Sequence, residues 1–262
     1  LVGLMIRVAS GEELPLTQAE VKRNGWAIEC RINAEDPFRN FLPSTGRLVR
    51  FAPPEQTMFQ SNTQDWFGVR VDTGVQDGGE IPMFYDSMIA KLIVHGVDRS
   101  DAIAKMREAL NGFVIRGISS NIPFQAALLA HPRFVSGQFN TGFIAEQYGK
   151  GFSAEDVPHE DPSFLLALAA FVRRKSRERA AGISGQLPGY GVQVGKDYVV
   201  VTLAPDGKNA YTPVHVDEFV GETGSARVRV GAANYEIRSN SRINDIAISG
   251  TVNGQPFTAQ VE

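Results

Sequence analysis

The chain has 262 residues, of which 43% are hydrophobic, and this is enough to build one large domain or two ordinary ones. Its net charge of −3 gives no electrostatic reason to expect nucleic acid or an anionic membrane surface as a partner. A single cysteine excludes an internal disulfide framework and favours a reducing compartment, so we expect a cytoplasmic protein.

The first residues, LVGLMIRVAS, begin like the middle of a helix, because they contain neither an initiating methionine nor a capping residue. They also lack the charged and apolar regions of a signal peptide. The longest apolar run, Phe164 to Val172, is too short to cross a bilayer. We therefore expect a segment of a longer polypeptide that does not enter a membrane.

Residues 26–33, within the stretch GWAIECRINAEDP, alternate between apolar and polar side chains, and this pattern predicts a half-buried strand. Cys30 lies on the apolar face, while Glu29, Arg31 and Asn33 share the polar face. A guanidinium presents donors that suit carboxylate, bicarbonate or phosphate, so Arg31 is a candidate anion-binding residue that Glu29 and Asn33 could orient. The alternative is a surface salt bridge with Glu29, worth about 0–1 kcal/mol and without function.

Strand patterns recur at 47–51, 68–75 and 90–95, separated by polar loops that contain proline and glycine. Helices follow, one capped by Ser100 and a second capped by Ser119 or Ser120. A short crossing strand lies between these helices, and a last short helix ends near 148. Strands followed by helices predict a compact α+β domain over residues 1–148.

Two charged residues lie in the segment that contains the third of these strand patterns. Asp86 stands among apolar neighbours in MFYDSM, which predicts a buried carboxylate that backbone donors or a cation would satisfy. Lys91 follows on a strand whose opposite face carries Leu92 and Val94, so we expect a solvated or paired side chain. Both residues are therefore interpreted as structural from pattern alone.

Residues 149–160, GKGFSAEDVPHE, are polar and non-periodic and predict a linker to a second domain over 161–262. Asp161 and Pro162 suit the N-cap and first position of a long helix. Residues 164–172 of this helix are apolar around its whole circumference, so we expect it to be enclosed. The basic run at 173–179 suits a helix C-terminus and does not indicate nucleic-acid binding.

Beyond this helix the pattern is purely β, with seven short strands joined by hairpin turns, the first near 191–194 and the last near 257–261. Such a series predicts a sandwich or a barrel. Because the apolar helix needs a cover, we expect an antiparallel β-barrel curled around a long helix.

Motifs for several common chemistries are absent from the sequence. The four histidines show no metal-ligand spacing, so no metal site is predicted. There is no nucleophile elbow and no glycine-rich phosphate loop, so the chain has no complete nucleotide site.

The motifs GWAIECRINAEDP, FLPSTGRLVRF, VRVDTGV, FYDSMIAKLIVHG and RGISSNIPFQ occur in the order found in biotin carboxylases, and residues 1–148 resemble the C-terminal subdomain of that family. Residues 161–262 resemble the helix-and-barrel domain, called the BT domain, of the α subunits of biotin-dependent acyl-CoA carboxylases, in particular those acting on propionyl-CoA. In that family this domain joins the carboxylase and biotin-carrier parts and docks onto the carboxyltransferase β subunit.

The resemblance implies roles for individual residues. Arg31 would point into the active site toward bicarbonate and the ureido group of biotin, where a fixed cation stabilises a developing oxyanion. Phe41 would lie close to the place where biotin enters and contact it. The resemblance also implies supporting positions for a further set of residues: Glu29, Asn33, Asp86 and Lys91.

The resemblance further implies a ligase that forms C–C bonds, in which ATP-dependent carboxylation of biotin by bicarbonate precedes transfer to propionyl-CoA, giving methylmalonyl-CoA. The cofactors would be biotin, ATP and Mg²⁺, with the attachment lysine and the nucleotide site outside this chain, which alone would be inactive. The implied partners are the carboxyltransferase β subunit, through 161–262, and the biotin-carrier domain of the same polypeptide. The implied location is a bacterial cytoplasm or the mitochondrial matrix.

Two alternatives stay open. The chain could belong to the α subunit of another acyl-CoA carboxylase, acting on methylcrotonyl-CoA or acetyl-CoA, because acyl selectivity would reside in the β subunit. It could also be a non-catalytic module for subunit assembly.

Overall fold

The computed structural model describes residues 1–57, 59–60, 66–84, 86–158, 161–187, 189–204 and 207–261. These residues form three hydrophobic clusters, one built from residues between 30 and 129, another from residues between 167 and 237, and a smaller third from Phe124, Ala127 and Phe152. Helices and strands occur in both regions, so the predicted combination of α and β structure is confirmed.

In the part of the first region that the structure describes, there are ten strands and five helices in chain order. The strands are β1 (Trp26–Asn33), β2 (Glu35–Asp36), β3 (Leu42–Pro43), β4 (Gly46–Arg47), β5 (Arg50–Ala52), β6 (Phe59–Gln60), β7 (Trp66–Thr73), β8 (Glu80–Ile81), β9 (Met88–Gly96) and β10 (Val114–Arg116). The helices are α1 (Val2–Ala9), α2 (Arg99–Asn111), α3 (Ile122–Ala130), α4 (Pro132–Val135) and α5 (Phe143–Tyr148). Short 3₁₀ turns cover Gln18–Glu20, Pro37–Arg39 and Ala154–Asp156.

The main sheet of this region has four antiparallel strands in the order β1-β9-β7-β6, so β1 is an edge strand. Its apolar face, which includes Ile32 and Leu92, is buried with Met106 and Leu110 of α2 in one cluster. The helix buries Ile103, Met106 and Leu110, which recur at helical spacing along one face. Consequently the opposite face of the sheet, which carries the polar residues of β1, faces away from the core.

Two predicted helix caps are wrong in their residues, although both helices exist. Asp98 caps α2, because its carboxylate accepts a hydrogen bond from the Asp101 amide at 2.9 Å, and Ser100 instead donates its hydroxyl proton to Asp98. Asn121, rather than either preceding serine, occupies the N-cap position of α3. Its side chain makes no capping bond, because it forms hydrogen bonds with the backbone of Arg31 and Asn33 instead.

The second region begins with α6 (Pro162–Ala181) and continues as a six-stranded antiparallel sheet in sequential order. Asp161 caps the helix as predicted, accepting from the Phe164 amide at 3.1 Å and from the Tyr235 hydroxyl at 3.0 Å. The strands are β11 (Asp197–Leu203), β12 (Asn209–Val220), β13 (Ser225–Val230), β14 (Ala233–Arg238), β15 (Ala247–Val252) and β16 (Gln255–Gln260).

The sheet curls against the helix as a half-barrel. The strand predicted near 191–194 does not form, so the described residues contain six strands instead of seven and show no pairing between β11 and β16. The helix buries Leu168 and Phe171 against the sheet, whereas Leu165 is 50% exposed. The expected enclosure is therefore incomplete, because the open sheet covers one side of the helix.

The segment predicted as a linker, 149–160, is described as far as residue 158. Phe152 is buried, and its ring meets that of Phe124 on α3 edge to face at 5.5 Å. Further along the chain, the Gln260 side-chain amide donates to the Phe113 carbonyl oxygen at 2.6 Å, which links the second region to the first.

No helix within the described ranges combines the length and the apolar character needed to cross a bilayer.

Candidate functional site

The site is the polar face of the main sheet around Arg31. The Arg31 side chain is 68% exposed, and the Glu29 carboxylate lies 3.7 Å from its Nε atom. Within the described part of the chain, no other carboxylate lies within 4.0 Å of it. An exposed pair at this distance contributes at most about 1 kcal/mol, so the guanidinium retains donors for another anion.

Strand pairing brings further charges to this face. Lys91 on β9 lies directly opposite Arg31, and Asp72 on β7 lies directly opposite Lys91. Arg70 pairs with Asp72 at 3.1 Å, in a closer contact than that between Arg31 and Glu29. Residues directly opposite in antiparallel strands have Cβ atoms about 4.5–5.5 Å apart, so Arg31 and Lys91 form a pair of adjacent cations. Such a pair favours a small anion between them.

Of the two residues expected to orient Arg31, one contacts it and the other does not. The strand pairing shifts between Ile32 and Asn33, which places Asn33 opposite Met88. The Asn33 side-chain amide donates to Glu35 at 3.2 Å, and Glu35 also accepts from the Ser87 hydroxyl. Asn33 therefore belongs to a neighbouring polar network.

Phe41 lies in the loop after the Pro37–Arg39 turn, with a positive φ of 57°. Its half-buried ring meets Phe124 edge to face, with 4.9 Å between ring centroids. Phe124 in turn contacts Tyr148 and Phe152. The ring of Phe41 is thus the outer member of an aromatic cluster, which holds this loop against α3.

The expectation that Asp86 is buried is wrong. The residue is exposed, and its carboxylate accepts a short-range hydrogen bond from the Met88 amide at 3.1 Å. Its apolar neighbours Met83 and Phe84 are 73% and 89% exposed in a turn, so they provide no burial. Lys91, in contrast, is half-buried on β9, the strand between β1 and β7.

Sequence reasoning missed Asn121 and Gln125, which hold the backbone of β1 at Arg31. The Asn121 side-chain amide donates to the Arg31 carbonyl oxygen at 3.0 Å, and the Gln125 amide donates to the same oxygen at 2.6 Å. Both residues lie in the motif RGISSNIPFQ, whose amides are the signal that could have identified them.

Cys30 lies on the buried face, directly beside Arg31 in sequence. Burial raises the pKa of its thiol to about 12, and the nearby Glu29 charge adds to this effect. The thiolate is the reactive form, so Cys30 is unsuited to nucleophilic chemistry at neutral pH.

The described residues do not fit a metal site. Among them, no three histidine, cysteine or acidic side chains are placed together to hold an ion. We therefore assign no metal-dependent step to this part of the chain. The arrangement can bind a small anion or a carbonyl oxygen through Arg31, with Lys91 beside it.

Comparison with known proteins assigns these two regions to domain families. Residues 29–146 match the family model of the biotin carboxylase C-terminal domain, and residues 165–262 match that of the propionyl-coenzyme A carboxylase BT domain. The Arg31 face thus belongs to a biotin carboxylase C-terminal domain, and α6 with the half-barrel belongs to a BT domain.

The chain resembles propionyl-CoA carboxylase alpha chains in particular. It is 45% identical to that of Ruegeria pomeroyi over 216 residues, which cover 79% of this chain and 32% of the relative. It is 35% identical to the mitochondrial alpha chain of Caenorhabditis briggsae over 268 residues, which cover 100% of this chain and 35% of the relative. The chain therefore spans about a third of the length of these curated relatives.

A solved structure also resembles the chain. The complete multifunctional pyruvate carboxylase from Rhizobium etli is 26% identical, with a TM-score of 0.51, and the match covers 65% of this chain and 16% of that one.

Proposed function

We propose that this chain is part of the α subunit of a biotin-dependent acyl-CoA carboxylase, in which its first region forms the wall of the biotin carboxylase site that faces bicarbonate and biotin. The observation that carries this proposal is the exposed, loosely paired Arg31 beside Lys91, within a biotin carboxylase C-terminal domain. ATP would supply the free energy that activates bicarbonate, from a nucleotide site outside this chain.

Arg31 is the catalytic residue of this proposal. Its guanidinium would bind bicarbonate and stabilise negative charge on the ureido oxygen of biotin when the ureido nitrogen loses its proton. A fixed cation of this kind is worth about 2.7–4 kcal/mol to the reaction barrier. Lys91 lies directly opposite and would strengthen the positive potential, while Glu29 limits the rotation of the guanidinium.

Phe41 is proposed to contact biotin and to contribute less to binding than Arg31 does. Its position at the rim of an aromatic cluster would give the loop a fixed shape, against which the apolar bicycle of biotin could pack. Asn33 and Asp86 are proposed as supporting residues, through the network with Glu35 and the turn before β9 respectively.

The second region is proposed to dock onto the carboxyltransferase β subunit. Its assignment as a BT domain supports this, and so does an apolar patch that the outer face of β11 and β12 exposes. This patch is made by Val199, Val201, Leu203 and Tyr211, all more than half exposed. The same observation favours a second candidate function, a module for subunit assembly that acts without catalysis.

Propionyl-CoA is the proposed acyl acceptor, and methylmalonyl-CoA the product, because the relatives that match both regions are propionyl-CoA carboxylase alpha chains. Methylcrotonyl-CoA and acetyl-CoA are the alternative acceptors. Since the relatives include bacterial and mitochondrial proteins, the proposed location is a bacterial cytoplasm or the mitochondrial matrix.

The test uses the full-length α chain, with its biotin attached, together with the carboxyltransferase β chain. Fixation of labelled bicarbonate into acid-stable product should require ATP and both chains, and it should proceed faster with propionyl-CoA than with methylcrotonyl-CoA or acetyl-CoA. A complex that forms but fixes no bicarbonate with any acceptor would favour the assembly function. If bicarbonate is fixed faster with another acceptor, that acceptor, and not propionyl-CoA, is the substrate.

A further inference from the structure

At the edge of the main sheet, the side chain of Asn121 forms hydrogen bonds with backbone groups of β1. Because β1 is an edge strand of the described sheet, the outward backbone groups of Arg31 and Asn33 have no neighbouring strand in that sheet to bind. Asn121 replaces that strand: its Nδ2 donates to the Arg31 carbonyl at 3.0 Å, and its Oδ1 accepts from the Asn33 amide at 3.0 Å. Its own backbone amide donates to the Asn33 carbonyl at 3.1 Å.

This arrangement depends on an amide side chain. Asn121 is only 7% exposed, although asparagine is mostly a surface residue. A carboxylate could accept from Asn33 but could not donate to Arg31, and an apolar side chain of similar size could do neither. Gln125, one helical turn later, adds a second donor to the Arg31 carbonyl at 2.6 Å.

The hydrogen bonds from Asn121 and Gln125 hold the part of β1 whose backbone sets the direction of the Arg31 side chain. The pairing of β1 with β9 shifts between Ile32 and Asn33, so the sheet alone does not fix the backbone at this point. Among the residues that the structure describes, the guanidinium has only the loose contact with Glu29 at 3.7 Å. The direction of the Arg31 side chain is therefore determined chiefly by its backbone, which Asn121 and Gln125 hold from outside the sheet.

We propose that Asn121, assisted by Gln125, is a positioning residue for Arg31, which aims the guanidinium by fixing the backbone of β1 on both sides of the register shift. This inference rests on the proposed function of Arg31. Displacement of a catalytic group by about 1 Å can cost about 100-fold in rate. A purely structural role, in which Asn121 only protects a sheet edge, would affect stability without acting through Arg31.

The experiment compares Asn121→Ala and Gln125→Ala, each in the wild-type background and in the Arg31→Ala background of the full-length α chain. The readouts are kcat for bicarbonate-dependent carboxylation of free biotin and the melting temperature. Ser239→Ala is the matched control, since Ser239 is also a buried polar residue, and its hydroxyl donates to the Ser249 carbonyl at 2.7 Å in the second region.

In the wild-type background, Asn121→Ala should lower kcat by about 10-fold to 100-fold, and the milder Gln125→Ala by about 3-fold to 10-fold. Ser239→Ala should lower the melting temperature but leave kcat unchanged. In the Arg31→Ala background, neither amide substitution should lower kcat further, because the group that they position is gone. Gln125 is only half-buried, so its variant should fold even where Asn121→Ala does not.

Two results would overturn the inference and leave the proposed function intact. In one, Arg31→Ala lowers kcat but the amide substitutions do not. In the other, the amide substitutions lower kcat by the same factor with and without Arg31. If Arg31→Ala itself leaves kcat unchanged, the proposed function of this face fails, and the inference fails with it.

Discussion

Two leucines on the same helix test the half-barrel directly. Leu168 is 3% exposed and packs within the second hydrophobic cluster, whereas Leu165, about one helical turn earlier on α6, is 50% exposed. Truncating a buried leucine to alanine costs about 2–5 kcal/mol, because the transfer free energy is lost and a cavity remains. We therefore expect Leu168→Ala to lower the melting temperature of this region by about 8 °C or more.

The Leu165 side chain is already half exposed to solvent, so Leu165→Ala should lower the free energy of unfolding by at most about 1.5 kcal/mol. Both variants are measured by calorimetry on the chain in the absence of any proposed partner subunit, so that docking cannot cover Leu165. Equal destabilisation by the two substitutions would contradict an open sheet. It would mean that the apolar half of α6 is enclosed all round, as its sequence pattern predicts.

Two further predictions concern the first region. Hydrogen bonds from the Asp101 amide and the Ser100 hydroxyl lower the pKa of Asp98, so the stability that this carboxylate contributes is present above its ordinary pKa and is lost as pH falls through the lowered value. Asp98→Asn still caps α2 but does not titrate, so acid should affect its melting temperature less than that of the wild type; equal acid dependence would contradict this reasoning. Cys30, with its pKa of about 12, should resist alkylation in the native protein at pH 8 and react after unfolding, and rapid native labelling would contradict its burial.

The elements that the sequence predicts best are those encoded by local patterns. The alternation around Arg31 predicted β1 with its boundaries, and Asp161 with Pro162 predicted the start of α6. Both signals lie within a few residues of the structure that they specify. Local patterns failed at two places. The alternation at 191–194 did not form a strand, because a strand also needs a pairing partner. The apolar residues before Asp86 did not bury it, because Met83 and Phe84 lie in a turn and are exposed to solvent.

The parts of the site that could not be predicted depend on long-range pairing. Lys91 meets Arg31 through the register of β1 with β9, across about sixty residues of chain. Asn121 reaches the Arg31 carbonyl from ninety residues away. The motifs that contain these residues do not specify either contact, which the register of β1 with β9 creates for Lys91 and the packing of α3 beside β1 creates for Asn121.

The most direct test of this account measures Arg31→Ala in the full-length α chain, with Glu29→Ala as the control on the same face. The rate measured is that of bicarbonate-dependent carboxylation of free biotin. We expect kcat to fall by about 100-fold to 1,000-fold for Arg31→Ala and by less than about 10-fold for Glu29→Ala, since in the proposed mechanism the guanidinium, and not the Glu29 carboxylate, stabilises the developing charge. Wild-type turnover by a folded, assembled Arg31→Ala enzyme would contradict the assignment of this cation to the carboxylation site.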